Sequence, residues 1–273
     1  MKRIYAGLSF FVAGQCMASG SPWLLNPGAT SLNIAYVNQY ADRFWLGSDQ
    51  APVPGGDIEQ DTVWLSIDRG LTDNLALDLR TGFARSDQAS APGDDGRTDS
   101  YLGLTWRFHD EFLSDSGLPS AALRVGGILK GNYDTGTISA IGDGASGVEA
   151  SLILGKVLTD KLAVSGEFGY RWREDDVPYD LIYKANVFYN LTPALGLSAG
   201  YQYIDAESGL DIGGPGFTPD RFPEVEEDQE IISFGATFNV NQELSLGVDV
   251  GQVIDGRNAA KSDIASFNIG YTF

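Results

Sequence analysis

The sequence feature that most constrains the fold is a tight turn followed by strict two-residue alternation. The segment VLTDKLAVSGEFGYRWR, residues 157–173, shows it best. From Leu162 to Trp172 every second residue is apolar or glycine, and the residues between them are small, polar or charged. An alternation of period two puts these two sets on opposite faces of a β-strand. The same unit recurs at residues 70–83, 190–203 and 240–252.

The length of these units points to the membrane. Each turn is followed by roughly ten alternating residues, which is the length a tilted strand needs to cross a bilayer. A strand in a soluble β-sandwich also alternates, but a sandwich does not explain three further features together. These are the polar second face, the alternation of long and short connections, and the aromatic residues at the strand ends. We therefore predict an all-β fold, a twelve-stranded antiparallel transmembrane β-barrel with short periplasmic turns and longer extracellular loops.

The pattern also predicts where the strands end. The first strand is expected over residues 31–47, with a bulge near its upper end because the alternation weakens there. The polar stretch SDQASAPGDDGR, residues 86–97, is expected to be a loop, and the longest loop is expected over residues 205–228. The eighth strand is expected to begin at Leu181.

The N-terminus has the pattern of a secretory signal peptide. Lys2 and Arg3 precede an apolar run over residues 4–12, and small residues follow at 18–20. We expect residues 1–20 to be removed and residues 21–273 to form the outer-membrane β-barrel. A transmembrane anchor is disfavoured because the run is shorter than the roughly 18 to 20 residues a helix needs. A lipoprotein site at Cys16 is the remaining alternative, although Gln15 is an unfavourable preceding residue.

Composition excludes several function classes. The chain has 18 Lys and Arg residues against 37 Asp and Glu residues, a net charge of −19, and one cysteine. Removal of residues 1–20 would delete that cysteine and two positive charges, which leaves a net charge of −21. The mature chain is then expected to have no disulfide and no cysteine-based metal site. We also expect no binding to nucleic acid, because the phosphate backbone repels a polyanion.

The last strand resembles the assembly signal of bacterial outer-membrane barrels. It alternates through Tyr271 toward a C-terminal Phe273. The resemblance implies that these two residues are recognised by the barrel-insertion machinery. An aromatic residue at this position also fits a membrane-interface girdle, and both roles are compatible.

A second resemblance concerns the turns. The repeated L-T-D-x-L-x-L pattern, found at residues 71–77 and with a final valine at 158–164, is similar to that of the MetA-pathway phenol-degradation family. Members of that family are taken to be outer-membrane channels for small, often aromatic, compounds. The resemblance covers the strand framework of most of the mature chain. It implies transport, but it assigns no substrate-binding residue.

The polar strand faces supply the candidate functional residues. They point into the barrel if the apolar faces meet lipid. The pore-lining candidates on these faces are Arg80, Arg107, Arg124, Lys130, Arg171, Lys184, Asp78, Glu149, Glu167 and Asp249. Facing rows of Arg and carboxylate side chains would create a transverse field that orients dipolar solutes and sets ion preference. In a narrow barrel the same side chains would alternatively form a salt-bridged plug.

The expected function is passive passage of small, aromatic or charged solutes through a monomeric channel in outer-membrane lipid. The alternative is a non-conducting structural barrel, or a surface adhesin acting through its acidic extracellular loops. We expect the protein not to be an enzyme, since the only histidine, His109, falls in a periplasmic turn and no G-x-S-x-G motif occurs. We expect no cofactor and no metal site, because Asp94–Asp99 lacks the full spacing of a calcium loop.

Overall fold

The computed structural model describes residues 21–273, and its regular structure is almost entirely β. A single 3-10 helix spans Pro219–Glu224 within the described residues. The strands in chain order are β1 (Thr30–Ala41), β2 (Arg43–Leu46), β3 (Asp49–Pro52), β4 (Ile58–Thr72), β5 (Leu75–Gln88), β6 (Ala91–Arg97), β7 (Ser100–His109), β8 (Ser120–Leu129), β9 (Gly147–Val157), β10 (Leu162–Arg173), β11 (Tyr179–Asn190), β12 (Leu195–Glu207), β13 (Asp228–Asn239), β14 (Leu244–Arg257) and β15 (Asp263–Thr272).

Twelve of these strands close into an antiparallel barrel, as predicted. The order around the barrel is β1, β4, β5, β7 and then β8 to β15 in sequence. The barrel closes where β1 pairs with β15, from Ser31 opposite Thr272 to Tyr40 opposite Asp263. Closure pairs each of the twelve barrel strands with a neighbour on both sides, since unpaired backbone groups could not be tolerated in lipid.

The outer face of the barrel is apolar and exposed. Ile34, Val125 and Phe234 are each more than half exposed, which in a protein of this shape marks a surface that lipid covers. Exposed aromatic side chains lie at the two ends of the strands, as the sequence predicts for membrane interfaces. Phe83 and Trp172 are at one end, and Trp106 is at the other.

The connections differ in length between the two ends of the barrel. At the inner end, short turns join β4 to β5, β9 to β10, β11 to β12 and β13 to β14, and a longer turn spans residues 110–119. At the other end lie long connections, of which 130–146 and 208–227 are the longest without strands. In outer-membrane barrels the long loops face the cell exterior, so we call this the outer end.

The prediction for the first strand is wrong at its outer end. The strand leaves the barrel at Ala41, and the following residues form a separate hairpin of β2 and β3. This hairpin turns Phe44 and Trp45 inward, where both are almost fully buried. The weak alternation that suggested a bulge instead marks the point where the lipid-facing strand ends and the β2–β3 hairpin begins.

The predicted loop over residues 86–97 is also corrected. Much of it is β-structure, because β5 continues to Gln88 and β6 pairs back onto it. The two strands therefore extend the barrel wall beyond the membrane as a hairpin. One face of this extension is buried, with Ala84 and Ser86 almost fully covered, and the other is exposed at Arg85 and Asp87.

The hydrophobic clusters lie at the outer mouth rather than inside the barrel. Phe44 packs with Ala41, Val53 and Ile58, and Ile138 of the 130–146 connection packs against the same cluster. A second cluster joins the hairpin to the barrel wall through Trp45, Ile231, Val253 and Ala259. The long connections are therefore held together over the mouth by apolar contacts.

Among residues 21–273 no helix is long and apolar enough to cross a membrane. The predicted signal peptide, residues 1–20, lies outside the described residues.

Candidate functional site: the barrel interior

The centre of the barrel wall is organised around Arg124. Its guanidinium group is 1% exposed and lies between two carboxylates, with Nη2 2.6 Å from Asp78 Oδ2 and Nη1 2.9 Å from Glu149 Oε1. Strand β7 separates β5 from β8, so Arg124 reaches Asp78 across the backbone of Gly103. A Cβ atom at Gly103 would lie 2.4 Å from Arg124 Nη2. Glycine is thus required at position 103, because any side chain there would occupy the space through which Arg124 reaches Asp78.

The ion pairs continue from Arg124 toward the outer mouth. Glu149 accepts hydrogen bonds from Arg171 Nη2 at 2.9 Å and Nε at 3.0 Å. Arg171 and Arg173 both contact Asp180, with distances of 3.4 and 3.1 Å. Arg173 also pairs with Asp143 in the 130–146 connection. We call this series the ion-pair ladder; its members are Asp78, Arg124, Glu149, Arg171, Asp180, Arg173 and Asp143.

Two other groups of charged side chains lie beside the ladder. Lys184 and Glu167 face each other on β11 and β10, with their charged atoms 3.2 Å apart and both side chains 8% exposed. On the other side of the barrel, Asp249 accepts hydrogen bonds from Ser266 Oγ at 3.1 Å and Asn268 Nδ2 at 3.2 Å. Buried charges require partners of this kind, since an uncompensated charge in the wall costs several kcal/mol.

Arg80 is held differently, by an aromatic ring. Its guanidinium carbon lies 3.9 Å from the centre of the Trp64 ring, a cation–π arrangement. Trp64 is opposite Gly82 in the β4–β5 pairing, and a Cβ atom at Gly82 would lie 2.8 Å from the indole. The glycine therefore allows the indole to lie flat against the wall, and the indole in turn supports the guanidinium.

A cavity of about 250 Å³ occupies the middle of the lumen beside these residues. Its wall contains four cationic and three carboxylate side chains, together with glutamines and aliphatic residues. The charged residues that line it are Arg80, Arg124, Arg171, Lys184, Asp68, Asp78 and Glu149. We call it the central cavity.

A second cavity of about 280 Å³ lies above the first, under the outer connections. It is lined by apolar side chains such as Phe44, Ile138 and Phe222, and by the carboxylates of Asp143 and Glu227. None of the described residues that line it is cationic. Gln39, Gln60 and Ile264 line both cavities, so these three side chains lie between the outer cavity and the central cavity.

The 130–146 connection forms the roof of the outer cavity. Tyr133 fixes its start, because the Tyr133 hydroxyl donates a hydrogen bond to Asp99 Oδ1 at 2.6 Å and accepts one from the Gly144 backbone at 3.1 Å. The Gly131 backbone donates to the same Asp99 oxygen at 2.8 Å. Burial and the neighbouring carboxylate raise the pKa of Tyr133 well above its ordinary value. The hydroxyl therefore keeps its proton and remains a donor to Asp99.

Glu227 lies at the wall of the outer cavity, and its protonation, unlike that of Tyr133, changes near neutral pH. The side chain of Glu227 is exposed to the cavity, but protein atoms surround the carboxyl group and reduce its contact with bulk water. Burial and the nearby charge of Asp143 raise the pKa of Glu227 to about 7. The charge of the outer cavity therefore changes within the physiological pH range.

The inner end of the lumen is narrowed by residues 21–29, which precede β1. Pro22 is fully buried and occupies the space that a side chain at Gly155 would fill. Trp23 Nε1 donates to Glu111 Oε1 at 3.2 Å, and the Trp23 ring meets Phe188 edge to face, with centroids 6.2 Å apart. This segment thus crosses from the β1–β15 junction to the opposite wall.

The structure places most of the predicted pore-lining residues on the inner face. Those that lie there in the central part of the lumen are Arg80, Arg124, Arg171, Lys184, Asp78, Glu149, Glu167 and Asp249. Arg107 is also on the inner face but at the inner end, where it pairs with Asp110 at 2.9 Å. Lys130 differs from the prediction, since it follows the last residue of β8 and is exposed at the outer rim.

Several important residues of the interior were not predicted. Asp180 was missed because the eighth strand was expected to begin at Leu181, whereas β11 begins at Tyr179. The two-residue spacing of Asp180, Ile182 and Lys184 could have indicated that Asp180 lies on the inner face. Asp143 and Tyr133 lie in a loop without periodicity, and no sequence pattern indicates that this loop folds over the mouth.

His109 makes two side-chain contacts within the inner turn. His109 Nδ1 lies 2.8 Å from the Pro119 carbonyl oxygen and Nε2 lies 3.1 Å from Ser116 Oγ. The Ser116 hydroxyl also accepts the Leu118 backbone N–H, so these contacts shape the inner turn. Within residues 21–273 no group of three or more His, Cys, Asp or Glu side chains has an arrangement that could hold a metal ion.

A closed barrel with an apolar outer belt and a polar, ion-paired interior defines an outer-membrane β-barrel. Comparison with protein families identifies the group within this class. A sequence profile of the family described as "Putative MetA-pathway of phenol degradation" matches residues 59–269, and the chain belongs to that family. The resemblance of the repeated turns is thereby confirmed.

Solved structures show the same fold. An outer membrane channel from Pseudomonas putida F1 superposes with a TM-score of 0.73 and 18% identity, over 94% of this chain and 99% of that chain. The translocator domain of the autotransporter NalP from Neisseria meningitidis gives a TM-score of 0.51 and 13% identity, over 91% and 89% of the two chains. Identities this low establish likeness of fold. No curated protein matches the sequence significantly.

Proposed function

We propose that this protein is an outer-membrane channel through which small solutes cross passively by way of the outer cavity and the central cavity. The observation that supports this most directly is that the two cavities share Gln39, Gln60 and Ile264 in their walls. A solute that enters the outer cavity would pass these three side chains to reach the middle of the barrel. The match of fold with a bacterial outer membrane channel supports the same function.

The charged inner face is proposed to set selectivity. Arg80, Asp78, Glu149 and Arg171 border the central cavity, and fixed charges of both signs give a field across the path of a solute. Ion pairing within the ladder keeps Asp78, Glu149 and Arg171 against the wall, and the Trp64 ring supports Arg80. A solute then meets an ordered polar surface instead of long mobile side chains.

Passage is proposed to be limited at both ends. The outer mouth is covered by the 130–146 connection, which the Tyr133 hydroxyl fastens to Asp99. The inner mouth is narrowed by residues 21–29, which Trp23 fastens to Glu111. Loosening either contact should widen the path without disturbing the barrel strands.

The experiment is single-channel recording of the refolded protein in planar bilayers. We expect small, discrete openings for the wild type, and a severalfold larger conductance for Tyr133→Phe and for Trp23→Ala. Tyr183→Phe and Trp106→Ala are matched controls, since both side chains face lipid, and they should leave the conductance unchanged. Correctly inserted barrels that stay silent in every variant would instead indicate a structural barrel or an adhesin acting through its acidic loops.

The remaining features of the proposal concern assembly. We propose that residues 1–20 direct export and that residues 21–273 insert as a monomer into outer-membrane lipid. Phe273 and Tyr271 are both exposed on the lipid face, with ring centroids 5.8 Å apart. This paired aromatic surface is proposed as the contact for the barrel-insertion machinery. The contacts of His109 suit a structural turn, and the proposed activity is transport rather than catalysis.

A further inference from the structure

The outer cavity combines an apolar lining with negative charge. Ile138, Ile212 and Phe222 line it, and Asp143 and Glu227 supply two carboxylates. The described part of its wall contains no Lys or Arg side chain. The central cavity differs in this respect, since four cationic side chains line it. A solute that enters from outside would therefore meet an apolar and acidic space first.

The two carboxylates of the outer cavity differ in their partners. Asp143 is paired with Arg173. Glu227 accepts a hydrogen bond from Gln229 Nε2, and in the part of the chain that the structure describes no Lys or Arg side chain forms an ion pair with it. A carboxylate has about four acceptor positions. Most of the acceptor capacity of Glu227 is therefore open to a ligand in the cavity.

Gln229 adds a second acceptor beside Glu227. Because Gln229 directs its Nε2 donor to the carboxylate, its Oε1 remains an acceptor, and the residue lines the same cavity. An ammonium group has three N–H donors and no acceptor. Its hydrogen bonds to a carboxylate are charge-assisted and are stronger than those between neutral groups. The carboxylate and amide oxygens of Glu227 and Gln229 thus suit an ammonium group.

The charges near Glu227 favour a cation over an anion. Two carboxylates, Asp143 and Asp180, and one guanidinium, that of Arg173, act on it. Arg173 pairs with both aspartates, so its charge is already used and Glu227 is left uncompensated. A carboxylate that has lost water without gaining a cation is destabilised in its charged form. A cationic ligand would remove that cost.

From these observations we infer that the outer cavity is a binding site for small organic ammonium compounds with an apolar body. The ammonium group binds the Glu227 carboxylate, and the apolar body occupies the space lined by Ile138, Ile212 and Phe222. The volume of about 280 Å³ is sufficient, since a cavity of roughly 150 Å³ can hold benzene. This inference rests on the proposed function and deepens it, because it names a class of solute that the channel would select at its outer mouth.

The test is calorimetric titration of the refolded protein at pH 8 with three ligands. Benzylammonium has both the charge and the ring, benzyl alcohol has nearly the same shape without the charge, and methylammonium has the charge without the ring. We expect saturable benzylammonium binding, and roughly 10- to 100-fold weaker binding of benzyl alcohol because one charge-assisted contact is lost. Methylammonium should bind at least roughly 10-fold more weakly than benzylammonium, because it lacks the apolar contact.

Variants of Glu227 assign the charged contact. Glu227→Gln should weaken benzylammonium binding by roughly 10- to 100-fold and leave benzyl alcohol almost unaffected. Glu226→Gln is the matched control, since Glu226 pairs with Arg257 and does not line the cavity. Glu227→Asp restores the charge with a shorter reach, so it should bind benzylammonium more tightly than Glu227→Gln does. Heat-dependent mobility in gel electrophoresis checks that each variant is a folded barrel.

The pH dependence of binding tests the same contact without a substitution. The charged groups that act on Glu227 are Asp143 from the 130–146 connection, Arg173 from β10 and Asp180 from β11. Since the pKa of Glu227 is about 7, its ionised fraction rises from about one tenth at pH 6 to about nine tenths at pH 8. Benzylammonium keeps its charge over this range, so its affinity should rise roughly ninefold in the wild type and stay constant in Glu227→Gln.

Two results would overturn the inference. One is equal affinity for benzylammonium and benzyl alcohol at pH 8, and the other is an unchanged benzylammonium affinity in folded Glu227→Gln.

Single-channel recording of the same samples separates this inference from the proposed function. If channels open but benzylammonium neither binds nor interrupts the current, the protein is a channel and the assigned solute class is wrong. If benzylammonium binds through Glu227 but no channel opens, the site is correct and passive passage is wrong.

Discussion

The two halves of the barrel wall differ in how their inner faces are filled. The charged half, formed by β5 and β7 to β11, contains Arg124 and the rest of the ion-pair ladder. The neutral half, formed by β12 to β15, β1 and β4, has short hydroxyl and amide side chains such as Ser266 and Asn268. Its inward carboxylates, Asp249 and Asp68, are few, and Asp249 is satisfied by these neutral neighbours.

This difference shows how a narrow barrel can be stable and still contain space. Long side chains that pair across strands fill the charged half and fix their own conformations. The central cavity lies between the two halves and is lined by side chains of both. A twelve-stranded barrel filled by long side chains all round would have little room for a solute.

The largest difference in stability between the two halves is expected when Arg124 is removed. Arg124→Ala leaves Asp78 and Glu149 facing each other without their shared cation, and breaking a buried ion pair costs about 3–5 kcal/mol. Asn268→Ala, at an equally buried position of the neutral half, should cost about 1–3 kcal/mol. Denaturant titration of folding into lipid vesicles measures both free energies. Equal losses at the two positions would contradict the division into two halves.

A smaller effect is expected from the glycine that accommodates the ladder. In Gly103→Ala the new methyl group would overlap Arg124 Nη2. Arg124 cannot move aside while carboxylates hold it on both sides, so we expect a loss of about 1–3 kcal/mol. Gly127→Ala is the control, because nothing lies within 4 Å of its would-be Cβ, and it should change stability by less than about 0.5 kcal/mol. If the two variants unfold at the same denaturant concentration, the close fit around Arg124 has no energetic role.

The smallest effect concerns charge selectivity rather than stability. Glu227, whose pKa is about 7, is neutral below that pH and negative above it. The charged groups around it are Asp143, Arg173 and Asp180. Cation preference should therefore rise as the pH increases through about 7, as measured by reversal potentials in a salt gradient. Glu227→Gln should hold the preference at its low-pH value.

The control for this measurement is Glu226→Gln. Glu226 is the neighbour of Glu227 but pairs with Arg257 at 3.0 Å, so this variant should keep the pH dependence. If cation preference still depends on pH in Glu227→Gln, another group is responsible for the titration. Glu227 would then not set the charge of the outer cavity.

Most of the fold could be predicted from the sequence, because the bilayer imposes period two on every strand that crosses it. The inner and outer faces of Leu162–Arg173 follow directly from that alternation. The prediction failed where the membrane no longer acts. Beyond Ala41 and near residues 86–97 the chain lies outside the lipid-facing wall, so period two is no longer imposed and the sequence is compatible with a loop or with a strand.

The site could be predicted in composition but not in its contacts. Alternation placed Asp78, Arg124 and Glu149 on the inner face. It could not show that Arg124 reaches over Gly103 to Asp78, because that contact depends on the register of three strands. Tyr133 and Trp23 act through non-periodic segments, so their roles became apparent only from the folded chain.

The crossing of the inner mouth by residues 21–29 has a consequence for the order of assembly. Thr30 meets Phe273 at the β1–β15 junction, while Trp23 bonds to Glu111 on the far side. Both contacts join parts of the chain that are distant in sequence, and contacts of this kind form late because of their loop-closure entropy. Sealing of the β1–β15 seam and placement of residues 21–29 across the inner mouth are therefore both expected late in assembly.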